Sequence, residues 1–93
     1  MGMLKINEEI NSKFVDFYRS VFKDGTLPLK TKELIAVATA LGAGCESCYK
    51  SHLEKAEKLG NSPEEIREAI AVAEVLASGK VRRIVTGVEE KSK

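Results

Sequence analysis

Tryptophan is absent from this chain, and aromatic side chains make up only 5% of its residues. The apolar volume therefore comes mostly from Ala, Val, Ile and Leu, which can build only a small core in 93 residues. This length predicts one domain over residues 1–93 and leaves no room for a separate cofactor domain. Because so short a chain buries a modest share of its surface, we expect additional burial between copies, in a homo-oligomer.

A strong charge of either sign and a long apolar run are missing as well. The 15 Lys and Arg residues nearly balance the 14 Asp and Glu residues, and the formal net charge is +1. We therefore expect no nucleic-acid partner. No apolar run approaches the ~20 residues of a membrane span, so we expect no membrane partner. The first ten residues, MGMLKINEEI, show no apolar region of a secretory signal, which predicts a cytoplasmic protein.

The apolar residues recur at helical spacing throughout, and no alternating pattern predicts a strand. We expect an all-α fold of about five helices, over about 7–22, 30–41, 45–59, 62–79 and 81–90. The first three breaks are marked by Gly25, by Gly42 and Gly44, and by Gly60, and Gly79 is expected to close the fourth helix. Residues 89–93 are expected to form a frayed polar tail. The apolar stripe of the first helix consists of Ile6, Ile10, Phe14, Phe17, Tyr18 and Val21. Ser62 and Glu65 have the spacing of a capping box, with Pro63 at the first helical position.

Two cysteines stand where a glycine-rich break is followed by a helix. Two residues lie between Cys45 and Cys48, so one helical turn brings their sulfurs within reach of a disulfide. The unpaired N–H groups and the macrodipole at the start of a helix favour a thiolate. A thiolate is the nucleophile for thiol–disulfide exchange or for attack on a peroxide. In a reducing compartment, such a pair indicates chemistry or metal binding more often than a structural crosslink.

Two further residues could move protons beside this pair. His52, the single histidine, follows Cys48 by four residues and shares its helical face, so its imidazole could take a proton from a thiol. Without the cysteines it would be interpreted as a core histidine. Glu33 is the one carboxylate on an otherwise apolar helix, and its phase matches that of Val37, so it could face inward and accept a proton. A glutamate in a first helical turn is also favoured by the helix dipole alone. Tyr18 and Tyr49 are interpreted as core residues with solvated hydroxyls.

Glu33, Cys45, Cys48 and His52 are separated by eleven, two and three residues. This order resembles the AhpD-like branch of the carboxymuconolactone decarboxylase family. The surrounding KELIAVATALGAGCESCYKSH and the following PEEIREAIAVAEVLASG are similar to the core of that family. The resemblance covers about residues 29–79.

The resemblance implies a peroxidase of all-α fold, in which the CxxC helix packs on the helix with the glutamate, assembled into trimers or hexamers. Cys48 would attack a hydroperoxide, and Cys45 would resolve the sulfenic acid into a Cys45–Cys48 disulfide. Glu33 and His52 would relay the proton, and a dithiol reductant would reset the pair, with no other cofactor and no metal. Two departures stand out. The chain has one copy of the helical unit where larger members have two, and Ser47 replaces a histidine that some members carry before the second cysteine.

Three alternatives remain open at this stage. The chain could be a general thiol–disulfide oxidoreductase without peroxidase turnover. It could be a zinc-binding helical module, with Cys45, Cys48 and His52 as ligands and Glu33 or water as the fourth. Against this alternative, structural zinc usually connects loops, whereas the three ligands share one helix. It could also be a helical oligomerisation module with two inert cysteines.

Overall fold

The computed structural model describes residues 7–92, and within them the chain forms α-helices and no strand, which confirms the all-α prediction. The four helices are α1 (Glu8–Val21), α2 (Leu29–Ala43), α3 (Glu46–Lys58) and α4 (Pro63–Lys91). The predicted contribution of Ile6, most of the first ten residues and Lys93 lie outside the described residues.

The local sequence explains where these helices begin and end. Gly44 ends α2 and Gly60 follows α3, with φ angles of 71° and 90°, in the left-handed region that residues with a Cβ rarely adopt. The predicted capping box at the start of α4 is confirmed: the Ser62 hydroxyl accepts from the Glu65 N–H, and the Ser62 N–H donates to the Glu65 carboxylate. Two hydrogen bonds to the carboxylate hold the pKa of Glu65 below its ordinary value: first the one from the Ser62 backbone N–H, and second the one from the Ser62 side chain.

The predicted break at Gly79 is wrong, because α4 continues through it and includes the expected fifth helix. A glycine inside a helix costs only about 1 kcal/mol relative to alanine. No proline follows, and the residues on both sides keep the helical pattern, so that cost does not end the helix. The frayed tail expected over 89–93 is also wrong, because α4 continues to Lys91. The positive charge of Lys91 is favourable there, since a helix C-terminus carries a partial negative charge.

The core lies between α2 and the two helices that pack against it, α3 and α4. Its buried apolar residues among those described are few and small: Val37, Ala40, Ala56 and Ile66. No residue of α1 is fully buried. The ammonium of Lys32 on α2 donates to the carbonyls of Val21 and Lys23, each at 2.8 Å, which ties the end of α1 to the core.

The chain is extended, and much of its apolar surface is uncovered. The radius of gyration is 17.5 Å, against about 12 Å for a compact domain of this length. The large exposed apolar side chains on α1 and α4 are Ile10, Phe14, Phe17, Val21, Val72, Val75, Leu76, Val81, Ile84, Val85 and Val88. None of the helices in residues 7–92 is both long and apolar enough to cross a membrane.

Candidate active site

A carboxylate and an imidazole meet inside the α2–α3 interface. Glu33 is 3% exposed and His52 is 9% exposed. Oε1 of Glu33 lies 2.5 Å from Nδ1 of His52. Glu33 shares its helical face with the buried Val37 and Ala40, as its phase predicts. The expectation that it belongs to a first helical turn is wrong, because α2 begins four residues earlier, so the helix dipole does not explain this carboxylate.

The pairing fixes how the imidazole can act. An ionised carboxylate only accepts hydrogen bonds, so with Glu33 ionised Nδ1 of His52 is the donor of this bond. In the neutral ring, Nε2 is then the basic nitrogen, and a second proton there gives an imidazolium that the carboxylate stabilises. Burial makes this partnership necessary, because either group alone would be an unpaired polar group in the core.

Two aromatic side chains from α1 and its C-cap cover His52. Tyr18 places its hydroxyl 3.3 Å from Nε2 of His52, and the Phe22 ring stacks on the imidazole with centroids 4.9 Å apart. The Lys55 ammonium donates to the same Tyr18 hydroxyl at 3.4 Å. The sequence interpretation of Tyr18 as a core residue with a solvated hydroxyl missed this contact. The available signal was position: Tyr18 and Phe22 are four residues apart and so share a helical face.

The cysteine pair lies at the start of α3 and is joined as a disulfide. Cys45 is the N-cap, and its sulfur accepts from the Cys48 N–H at 3.3 Å. The Ser47 hydroxyl lies 3.7 Å from the same sulfur. Cys48 is exposed, whereas Cys45 is half-buried and borders an open surface depression of about 610 Å³. The lining residues of this depression are Gly44, Cys45, Glu46, Ser47 and Lys50.

All four residues of the predicted site therefore lie on the facing helices α2 and α3 or at the N-cap of α3. Cys48 and His52 are one turn apart on α3, a spacing that places their Cβ atoms about 5–6 Å from each other. Neither ring nitrogen of His52 bonds a sulfur, because one meets Glu33 and the other Tyr18. In the part of the chain that the structure describes, no three side chains of the metal-binding types come together.

The fold of this chain is shared by solved structures of other proteins. A protein of Methanobacterium thermoautotrophicum superposes with a TM-score of 0.82 at 29% identity, covering 92% of this chain and 97% of the other. A Thermotoga maritima protein superposes with a TM-score of 0.67 at 32% identity, covering 85% of this chain and 86% of the other. It is described as a carboxymuconolactone decarboxylase family protein with a possible involvement in antioxidative response.

Two curated proteins are similar in sequence, and both bear the name "uncharacterized protein". One is "uncharacterized protein 4 in cox locus" of Paracoccus denitrificans, 40% identical over 75% of this chain. The other, from Cupriavidus necator, is 36% identical over 66% of this chain. The chain spans 63% and 54% of their lengths, respectively. The model of one family matches residues 8–87, most of the chain. This chain belongs to the carboxymuconolactone decarboxylase family.

Proposed function

We propose that this protein is a thiol-dependent peroxidase that reduces hydroperoxides through a dithiol–disulfide cycle. The observation that carries the proposal is the Cys45–Cys48 disulfide at the start of α3, one turn from a histidine held by a buried carboxylate. The description of the Thermotoga maritima relative points toward the same chemistry.

The proposed cycle oxidises the cysteine pair by two electrons. The Cys48 thiolate attacks one peroxide oxygen of ROOH; an S–O bond forms, the O–O bond breaks, and RO⁻ takes a proton to leave as ROH. The Cys45 thiolate then attacks the Cys48 sulfur of the sulfenic acid. An S–S bond forms, and the hydroxide that leaves takes a proton to become water. A dithiol reductant returns the pair to two thiols by exchange and is itself oxidised to a disulfide.

The positions of the two sulfurs support different roles. Cys48 is the more exposed of the two cysteines, so a hydroperoxide reaches it from solvent, and it shares a helical face with His52. Cys45 is half-buried at the N-cap, where unpaired N–H groups and the macrodipole favour the thiolate that must attack the sulfenic acid. We therefore propose Cys48 as the attacking residue and Cys45 as the resolving residue.

Glu33 and His52 are proposed to supply and accept the protons of this cycle. The leaving alkoxide and hydroxide each need a proton, and an imidazolium stabilised by a carboxylate is a suitable donor near neutral pH. Because neither ring nitrogen contacts a sulfur directly, the transfer is proposed to run through water. No cofactor beyond the cysteine pair enters this proposal.

A general thiol–disulfide oxidoreductase is the second candidate. Ser47 favours it, because a proton-relay histidine is missing from the position before the second cysteine. The exposed Cys48 sulfur is also accessible to a protein disulfide, which is much larger than a hydroperoxide.

We also propose that the protein works as a homo-oligomer, a trimer or a hexamer, in the cytoplasm. The apolar side chains on α1 and α4 would be covered by other copies, which would add the burial that the small core lacks. A dithiol-driven cycle requires a reducing compartment, which supports a cytoplasmic location.

The test is single-turnover oxidation of the reduced protein by one equivalent of hydroperoxide, followed by thiol titration and intact mass. We expect both thiols to disappear with the loss of two hydrogen masses. Glu54→Gln, a change at an exposed position of α3, serves as a control that keeps the full rate. Oxidation by a protein disulfide but not by any hydroperoxide would support the second candidate and reject the peroxidase.

A further inference from the structure

Both nitrogens of the His52 imidazole are occupied. Nδ1 donates to Glu33 at 2.5 Å, and Nε2 lies 3.3 Å from the Tyr18 hydroxyl. The ring itself is 9% exposed, and the carboxylate behind it is 3% exposed. A proton that enters or leaves this pair must therefore cross one of its few polar contacts.

Tyr18 is the polar contact that leads away from the buried pair. Its side chain is half-buried, and its hydroxyl also accepts from the Lys55 ammonium at 3.4 Å, whose residue is exposed. The hydroxyl can donate to a neutral Nε2 and can accept from a protonated one, so it is a suitable partner in both states of His52. It thus connects the buried imidazole to the surface of α3.

The orientation of Tyr18 differs from that of its apolar neighbours on α1. Phe14 and Phe17 are 56% and 65% exposed, whereas Tyr18 and Phe22 turn inward and their rings lie 4.7 Å apart. Phe22 stacks on the imidazole and excludes water from that side of the ring. On the side of His52 that faces α1, the Tyr18 hydroxyl is therefore the polar group through which a proton can pass between the imidazole and solvent.

We propose that Tyr18 is a positioning residue of the site and that its hydroxyl is the group through which the Glu33–His52 pair exchanges protons with solvent. In the outward step, the proton on Nε2 passes to the Tyr18 oxygen while the proton of the hydroxyl passes to water. Two protons move, the imidazole loses one proton, water gains one, and Tyr18 is neutral before and after. No electron moves, and Nδ1 keeps its bond to Glu33. The inference rests on the proposed function for its role in turnover, but the hydrogen bond and the exchange are properties of the protein alone.

Nitrogen-15 NMR of the imidazole tests the exchange without any substrate. Because His52 is the only histidine, its two ring nitrogens give an unambiguous pair of signals. The variant is Tyr18→Phe, which keeps the ring against Phe22 and removes only the oxygen. The matched control is Tyr49→Phe, because Tyr49 is the other tyrosine and its hydroxyl bonds no group within residues 7–92.

We expect Tyr18→Phe to shift the Nε2 signal and to slow exchange of the His52 ring proton with water by more than about twofold, because removing a path that carries most of the exchange leaves less than half of its rate. Tyr49→Phe should leave both unchanged. An unaltered Nε2 signal, or exchange in Tyr18→Phe as fast as in wild type, would overturn the inference whether or not the protein reduces peroxide. A folded NMR spectrum of the variant shows that the change is local.

The kinetic consequence is measured in the single-turnover oxidation at several pH values. We expect Tyr18→Phe to slow disulfide formation by about tenfold and to change the shape of its pH profile, whereas a purely structural role would leave that shape intact. If wild type consumes no hydroperoxide, the peroxidase proposal fails while the NMR result still decides the inference. If wild type turns over and Tyr18→Phe matches its rate and pH profile, the inference fails and the peroxidase stands.

Discussion

Replacing Glu33 with glutamine tests whether the buried carboxylate promotes the thiol chemistry by its charge. The glutamine side chain has nearly the same volume and still offers an oxygen to Nδ1 of His52, so the change removes charge and little else. A hydrogen bond to a charged group contributes about 1.5–3 kcal/mol and a neutral one about 0.5–1.5 kcal/mol, so the loss is about 1–2 kcal/mol. If His52 is protonated when the alkoxide leaves, that loss slows the step by about 5- to 30-fold.

The assay is the rate at which one equivalent of hydroperoxide converts the reduced pair to a disulfide, followed by rapid alkylation and mass. Glu54→Gln controls for loss of one negative charge from the same region, since Glu54 is exposed. Glu33→Gln with the rate of wild type, in a folded protein, would refute the argument that the carboxylate acts on the imidazole by its charge. Equal slowing in both variants would show that overall charge, and not the buried pair, controls the rate.

Further expectations concern the cysteines, the assembly and the cap of α4. Cys48→Ser should abolish peroxide consumption, whereas Cys45→Ser should stop at a sulfenic acid, one oxygen heavier by mass; the reverse pattern would exchange the two roles. Ile84→Lys, on the exposed apolar face of α4, should lower the mass measured by analytical ultracentrifugation; an unchanged mass would place the interface elsewhere. Glu65 has a lowered pKa in the folded state, so its stabilising effect is present above the ordinary value of 4.5 and is lost as pH falls through the folded value. The melting temperature of Glu65→Ala should therefore be lower than that of wild type at pH 7 and approach it in acid, and a gap that persists in acid would contradict this assignment.

The sequence was informative where a feature depends on local chemistry. The capping box of α4 and the turn at Gly60 require particular residue types at fixed spacing, so both were predictable and both are confirmed. Gly79 was misleading because a glycine permits a break without requiring one, and only the continuous helical pattern on both sides decides the outcome. The burial of Glu33 was suggested by its phase with Val37, whereas its first-turn position depended on an uncertain helix start.

Contacts between distant segments were beyond the reach of periodicity. Tyr18 and His52 are 34 residues apart, and their hydrogen bond depends on how α1 crosses the α2–α3 pair. The spacing of apolar residues on α1 assigned Tyr18 to the same stripe as Phe14 and Phe17, which the structure leaves exposed. A helical pattern gives the face of a residue but not which neighbour covers that face, so the role of Tyr18 emerges only from the packed helices.

The weak attachment of α1 connects the proposed assembly to the proposed chemistry. This helix buries none of its residues fully, yet it and its C-cap supply both Tyr18 and Phe22 to His52. Helices with few buried contacts open at low free-energy cost, so in an isolated copy the cover over His52 would be lost part of the time. Packing of the exposed apolar face of α1 on another copy would raise that cost, because opening would then expose the same surface to water. We therefore expect a change that dissociates the oligomer to slow thiol oxidation even when no site residue is altered, since it releases the helix that holds the imidazole in place.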